Sequence, residues 1–251
     1  MSSGSTDRVI VITGGSRGIG RATALALAAR GFRIVIGYAN NKAAADEVVA
    51  AINVKNRASS VRCDVGEEKD ILRLFAVADE LGALSGLVNN AGIAAKIARV
   101  DELSAERIQR MMTVNIAGSI LCAREAVKRM STRHGGSGGV IVNLSSAAAK
   151  LGAANTHVDY AASKGAIESF TIGLGHEVAD EGIRVVGVRP GIIDTDLHAT
   201  VGEPDRARKL AHLVPMKRIG QADEVANAIV WLISNEASYV TSTILDVSGG
   251  R

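Results

Sequence analysis

The chain reads as an α/β protein with a doubly wound, mostly parallel sheet and helices on both faces. Seven short apolar runs rich in β-branched residues alternate with helical patterns along all 251 residues, the sign of strand–helix–strand crossovers. Polar or glycine-bearing turns follow the strand ends at Gly14–Gly20, Asp64, Asn89–Gly92, Ser146 and Pro190-Gly191, where ligands bind in such sheets. No linker, repeat or shift in composition interrupts the pattern, so residues 1–251 are expected to form one domain.

Val9–Ile12 is a continuous apolar run, as expected of a strand buried on both faces. It leads into Thr13-Gly14-Gly15-Ser16-Arg17-Gly18-Ile19-Gly20 and then a helical pattern over Ala22–Arg30. A glycine turn between a buried strand and a helix lets backbone approach a phosphate at the positive end of the helix. The spacing Gly-x-x-x-Gly-x-Gly differs from the Gly-x-Gly-x-x-Gly of many dinucleotide enzymes. The next strand, Phe32–Tyr38, ends at Ala39-Asn40-Asn41-Lys42 with no acid to grip a ribose hydroxyl, and the first acid is Asp46. Arg17 with Asn40, Asn41 and Lys42 could instead receive a 2′-phosphate, which favours NADP(H) over NAD(H).

The alternation continues with helix 41–56, strand Ser60–Cys63 followed by Asp64-Val65, helix 67–81, and strand Gly86–Val88 running into Asn89-Asn90-Ala91-Gly92. A long helix is expected over 103–132 with Asn115 in its middle. The basic, glycine-rich Lys128–Gly139 reads as a turn and the most mobile loop. Strand Val140–Leu144, helix Val158–Asp180, strand Arg184–Val188, helix 222–234 and strand Ile244–Val247 complete the pattern. The segment 196–215 reads as a lid, with Arg206, Arg208 and Lys209 on the solvated face of a short helix.

Composition bounds the function. Hydrophobic residues make up 47% and only 3% are aromatic, so an aliphatic core is expected. The balance of 29 basic against 26 acidic residues contains no basic block, which argues against nucleic acid. Two isolated cysteines, Cys63 and Cys122, suggest buried thiols rather than a disulfide framework. The polar start is unlike a secretory signal and no run reaches about 18 apolar residues, so a soluble cytoplasmic protein is expected.

Chemistry concentrates in Tyr160-Ala161-Ala162-Ser163-Lys164. Residues four apart share a helical face, and a cation beside a phenol favours the phenolate and makes the tyrosine a usable acid or base. The set Thr13-Gly14-x-x-x-Gly18-x-Gly20, Asn89-Asn90-Ala91-Gly92, Asn115, Ser146, Tyr160-x-x-x-Lys164 and Pro190-Gly191 resembles the short-chain dehydrogenase/reductase family of about 250 residues, over nearly the whole chain. The resemblance implies a seven-stranded Rossmann-like sheet of order 3-2-1-4-5-6-7, a nicotinamide cofactor, and hydride transfer to or from a carbonyl. It implies Tyr160 as general acid/base, Lys164 lowering its pKa and holding the nicotinamide ribose, Ser146 polarising the substrate oxygen, and Asn115 binding a water that relays protons. By the same resemblance, Gly14, Ser16, Arg17, Gly18, Ile19 and Gly20 would cradle phosphates, and Tyr38, Asn40 and Asn41 would border the 2′-phosphate. Asp64 and Val65 would lie at the adenine, and Asn89, Ala91 and Gly92 beside a ribose. Pro190, Gly191, Ile193 and Thr195 would face the nicotinamide side. A homotetramer is also implied, and small residues of 158–174 (Ala161, Ala162, Gly165, Ala166, Gly173) would permit a partner helix to approach.

Ser145 is adjacent to Ser146, and a one-residue slip would exchange their roles. The Ser146-to-Tyr160 interval of 14 is one longer than in many relatives, which suggests an insertion within Ala147–Asp159. His176-Glu177 opens like a zinc-binding His-Glu-x-x-His helix, but Asp180 stands where the second histidine belongs, so no metal site is expected. A Ser146/His157/Asp159 hydrolase triad lacks the glycine elbow. His157 and His198 could edge the pocket. The substrate is expected to be a small-molecule carbonyl or alcohol. A 3-oxoacyl-carrier-protein reductase, with Lys128, Arg129 and Arg133 as docking surface, and a sugar 1-dehydrogenase remain open. So does a non-catalytic NADPH-binding regulator.

Overall fold

The computed structural model describes residues 8–52, 57–195 and 206–251. Seven parallel strands form the sheet: β1 (Arg8–Thr13), β2 (Arg33–Tyr38), β3 (Ala58–Arg62), β4 (Ala83–Asn89), β5 (Gly139–Leu144), β6 (Ile183–Pro190) and β7 (Thr243–Val247). Their order is β3-β2-β1-β4-β5-β6-β7. It reverses at β1/β4, the switch point where a doubly wound sheet opens a crevice.

The period of the strands builds the two faces of the core. On β1, Val9 and Val11 join one apolar cluster with Leu74, Phe75, Cys122 and Ile141, while Ile10 and Ile12 join the other with Leu27, Ile36, Val225 and Ile229. All four β1 residues are fully buried, each such side chain contributing about 1.5–3 kcal/mol. The helices covering these faces are α1 (Gly18–Ala29), α2 (Lys42–Ile52), α3 (Glu68–Leu81), α4 (Ala105–Met112), α5 (Gly118–Met130), α6 (Val158–Glu177) and α7 (Ala222–Ile233).

The structure differs from the sequence reading in several places, among them the start of β4 at Ala83 rather than Gly86 and the end of α6 at Glu177 rather than Asp180. β3 lies at 58–62 because its register runs from Ile34↔Ala58 to Tyr38↔Arg62. The long helix expected over 103–132 runs from Ala105 to Met130 but is not uniform: Ser104 Oγ accepts from the Arg107 N–H (3.2 Å) to start α4, and a π-helical turn, Thr113–Ala117, lies between α4 and α5 in one continuous run. The Lys128–Gly139 segment, expected as a turn, is the end of α5 followed by a hydrogen-bonded turn. The Gly138 N–H donates to the Met130 carbonyl at 2.7 Å, the Gly136 N–H to the Ser131 carbonyl at 2.9 Å, and the buried Ser131 hydroxyl bonds Glu181. Outside the main sheet, Ile193–Asp194 pairs with Gly220–Gln221. Of the expected lid, 196–205 and with it His198 lie outside the described residues, and Arg206–Leu210 forms one short helix with Arg208 and Lys209 exposed.

Cys63 and Cys122 are buried, and burial pushes the Cys63 thiol up to about 12 and the Cys122 thiol up as well. Among the described residues no helix is long and apolar enough to cross a membrane.

Candidate active site

The carboxyl ends of the strands open on a cavity of about 520 Å³. On one side stands the glycine turn. Gly14 has φ +65°, a left-handed conformation that costs other residues energy, and a side chain there would collide with Asn90. A Cβ at Gly20 would lie 2.4 Å from the Gly14 carbonyl, so only glycine lets α1 close on the turn. Arg17 caps α1 without a side-chain hydrogen bond, leaving the first-turn N–H groups without a capping side chain. Thr13 and Asn90, which no expectation named as ligands, fix this cradle. Thr13 Oγ1 accepts from the Asn90 and Ala91 N–H groups (3.1 and 3.0 Å), and Asn90 Nδ2 donates to the Thr13 and Gly14 carbonyls, both at 2.9 Å. Gly14, Ser16, Arg17, Gly18 and Ile19 all line the cavity. Gly20 lies behind the wall.

Tyr38, Asn40 and Asn41 line the next stretch. Asn41 Oδ1 accepts from the Ala44 N–H at 3.0 Å and so starts α2. Lys42, expected to help with a 2′-phosphate, instead bonds Asp46 at 2.6 Å one helical turn along and is not part of the cavity wall. Arg17 is exposed at the rim. Asp64 and Val65 border the cavity with Arg110, a residue the sequence did not single out. Arg110 Nη2 donates to Asp64 Oδ2 at 2.6 Å, while Asp64 Oδ1 accepts from the Gly66 N–H at 2.9 Å.

At the other end, β5 delivers two serines with different surroundings. Ser145 is buried and donates to Glu168 Oε1 at 2.6 Å. Ser146 lines the cavity together with Tyr160 and accepts from the Ala148 N–H at 3.2 Å. Tyr160 and Lys164 project from α6. Lys164 Nζ lies 5.7 Å from the Tyr160 ring centre and donates to the Leu144 carbonyl at 2.7 Å. It also passes 3.5 Å from where a Cβ of Gly92 would be.

Burial pushes the Tyr160 hydroxyl above its ordinary 10, with the Ser146 hydroxyl acting in the opposite direction. Burial pushes Lys164 down to about 8. The lysine is itself driven toward its neutral form, and its amine faces a carbonyl rather than the phenol oxygen.

Ala91, Gly92, Pro190, Gly191, Ile193 and Thr195 line the cavity, and the Thr195 methyl lies 3.4 Å from where a Cβ of Gly18 would be. Asn89 and Asn115 do not line it. Asn89 Nδ2 donates to Asn143 Oδ1 (2.9 Å) and the Ser119 carbonyl (3.0 Å), tying β4 to β5 and α5. Asn115, fully buried in the π turn, accepts from the Ile93 N–H (2.8 Å) and donates to the Ile93 carbonyl and Ser163 Oγ (both 3.0 Å). Its amide therefore braces the Gly92 loop and α6, and its main-chain carbonyl accepts from Ser119 Oγ at 3.1 Å. The remaining wall is mostly apolar, with Ala147, Leu151, Ile192 and Leu210, plus His157. Residues 147–157 hold a one-turn helix (Ala148–Leu151) and left-handed Ala153 and Asn155. Asp159 bonds Arg107 through both oxygens, at 2.8 and 3.1 Å, which removes it from any serine–histidine triad.

Among the described residues no group of three or more His, Cys, Asp or Glu could hold a metal ion. A family model described as enoyl-(acyl carrier protein) reductase matches residues 14–251. An uncharacterized oxidoreductase of Escherichia coli is 50% identical, covering 97% of this chain and 99% of its own. Glucose 1-dehydrogenase 2 of Bacillus subtilis is 35% identical, covering 98% and 95%. A Serratia marcescens short-chain dehydrogenase/reductase mutant superposes with a TM-score of 0.88 at 28% identity, covering 97% of each chain.

Proposed function

Because the chain belongs to the short-chain dehydrogenase/reductase family, we propose that it transfers a hydride between NADP(H) and a carbonyl or secondary-alcohol substrate, with Tyr160 as general acid/base. The observation that carries this reading is the presence of Ser146, Tyr160 and Lys164 in the same cavity as the glycine cradle. Dinucleotide, when bound, supplies or accepts the hydride. The cradle fits it: a side chain at Gly14 would collide with its surroundings, and the N-terminus of α1 stands beside it.

In reduction, Ser146 donates a hydrogen bond to the substrate oxygen, the stabilisation that counts most where charge develops. Tyr160 then gives its proton to that oxygen. Lys164 holds the nicotinamide ribose and, when protonated, steadies the tyrosinate left behind. Oxidation runs the same proton path backwards. Asp64 and Val65 border the adenine, and Pro190, Gly191, Ile193 and Thr195 the nicotinamide. Arg17 with Asn40 and Asn41 receives the 2′-phosphate, a choice supported by the absence of an acid at the end of β2.

A free small molecule is favoured over a carrier-bound acyl group. The basic residues that could dock a carrier are already paired: Lys128 with Glu125 at 2.9 Å, Arg129 with Asp79 at 2.8 Å and Arg133 with Glu181 at 3.2 Å. A homotetramer remains part of the reading, with Gly165 and Gly173 on α6 open to a neighbour, although Ala161 is buried within the subunit. The test is a panel of ketones, aldehydes, sugars and 3-oxoacyl thioesters with NADPH or NADP⁺, followed at the nicotinamide absorbance. Turnover with NADPH supports the reading. Absence of turnover, with no rise in melting temperature on adding NADP⁺, contradicts it.

A further inference from the structure

Behind the reacting groups runs a line of four alternating charges that the proton path does not use. Glu168 lies one turn beyond Lys164 on α6. It accepts two parallel bonds from Arg189, both at 2.7 Å, and one from Ser145 Oγ at 2.6 Å. Arg189 Nη1 donates to Asp246 Oδ1 at 2.6 Å, and Asp246 Oδ2 accepts from Lys150 Nζ at 2.6 Å. The Arg189 side chain is 7% exposed and that of Lys150 53%, so the line starts in the interior and ends at the surface.

A buried ion pair is weak support for stability, because desolvation offsets most of the attraction, but it can fix a geometry. Here the geometry is that of the cavity. Ser145 precedes Ser146, and Arg189 precedes Pro190 and Gly191. Lys150 sits in the one-turn helix whose neighbours Ala147, Ala148 and Leu151 form the wall beside Ser146. The Ala147 N–H donates to the Pro190 carbonyl at 2.8 Å, a second tie between the same segments. Only the planar fork of arginine can hold both oxygens of Glu168 and still reach Asp246.

We propose that Arg189 is a positioning residue and Lys150 a specificity-determining latch, which together hold the 147–151 wall at a fixed distance from Ser146 and Tyr160. This rests on reading the cavity as an oxidoreductase site. The network touches none of the glycine turn, Tyr38 or Asp64; Arg189 adjoins Pro190 and Gly191, but Lys150 adjoins only the 147–151 wall, so loosening Lys150 acts on the substrate and spares the dinucleotide.

The experiment compares wild type, Lys150→Gln, Lys150→Arg and Arg189→Lys as full-length chains. It measures steady-state kinetics with the carbonyl panel, NADPH affinity by fluorescence, and melting temperature. Lys150→Gln is expected to raise the substrate KM about two- to fivefold, the reach of a part-exposed ion pair. Its kcat, NADPH affinity and melting temperature stay close to wild type, and Lys150→Arg restores KM. Arg189→Lys is expected to lower kcat/KM at least about tenfold, because a charge-assisted bidentate bond is lost.

A wild-type KM in Lys150→Gln overturns the proposal. So does a parallel loss of NADPH affinity, or a lower melting temperature with unchanged kinetics. If Arg189→Lys does not fold, Lys150→Gln alone decides. If wild type turns over no panel member, the oxidoreductase reading has failed, and amide exchange over 147–157 judges the latch: faster exchange in Lys150→Gln supports it, and unchanged exchange overturns it.

Discussion

Lys164 is 5% exposed, and burial takes its pKa from 10.5 to about 8. The folded chain thus binds the Lys164 proton less tightly than the unfolded chain does. Below about pH 8 the folded state bears the cost of a buried ammonium, at about 1.4 kcal/mol per pH unit of displacement, or about 3 kcal/mol. As pH climbs from about 8 to 10.5, the folded lysine sheds its proton first and this cost disappears, so stability rises with pH in that window. Lys164→Met removes the effect. Urea unfolding of both chains without dinucleotide, at intervals from pH 7 to 10.5, isolates it in the difference between them. The wild type should gain on the variant by up to about 3 kcal/mol across the window. A difference that stays flat with pH would show that Lys164 titrates as an ordinary exposed lysine, and the argument from burial would be wrong.

Two further outcomes follow from named contacts. Arg17→Ala should lower kcat/KM with NADPH about tenfold, the worth of one hydrogen bond to a charged group, and change that with NADH little; a wild-type ratio would remove Arg17 from the 2′-phosphate. Arg107→Met leaves the Asp159 carboxylate buried without its bidentate partner and should cost about 3 kcal/mol at pH 7 by urea unfolding. Burial alone would raise the Asp159 pKa, but Arg107 and neighbouring N–H groups hold it below its ordinary 3.8. The wild-type advantage is therefore present above about pH 4 and should shrink as pH falls through the depressed value. An advantage that grows on acidification would contradict this assignment.

The fold was legible because the strands are buried on both faces. Val9–Ile12 and Val140–Leu144 have no polar residue to expose except Asn143, which is satisfied by Asn89 and Thr171. The sheet order came from the family resemblance and is the order found. Local pattern could not show the π turn within the long helix, where Asn115 bonds Ile93, 22 positions away. Side-chain direction was equally hidden. Asn89 follows the glycine-side strands in sequence yet turns into the sheet, and Lys42 satisfies itself on Asp46 within one helical turn. The choice between Ser145 and Ser146 needed Glu168, 23 residues beyond Ser145. Arg110 went unnoticed because an arginine on an amphipathic helix looks like any solvated charge until Asp64 is beside it.

The central claim is that the Tyr160 hydroxyl exchanges the proton that accompanies hydride transfer. Tyr160→Phe keeps the ring and its packing and removes only that group, so single-turnover measurements with saturating NADPH test the claim directly. The variant should bind NADPH like wild type while the chemical step slows by about 10²–10⁴-fold. Turnover within a few-fold of wild type would contradict it.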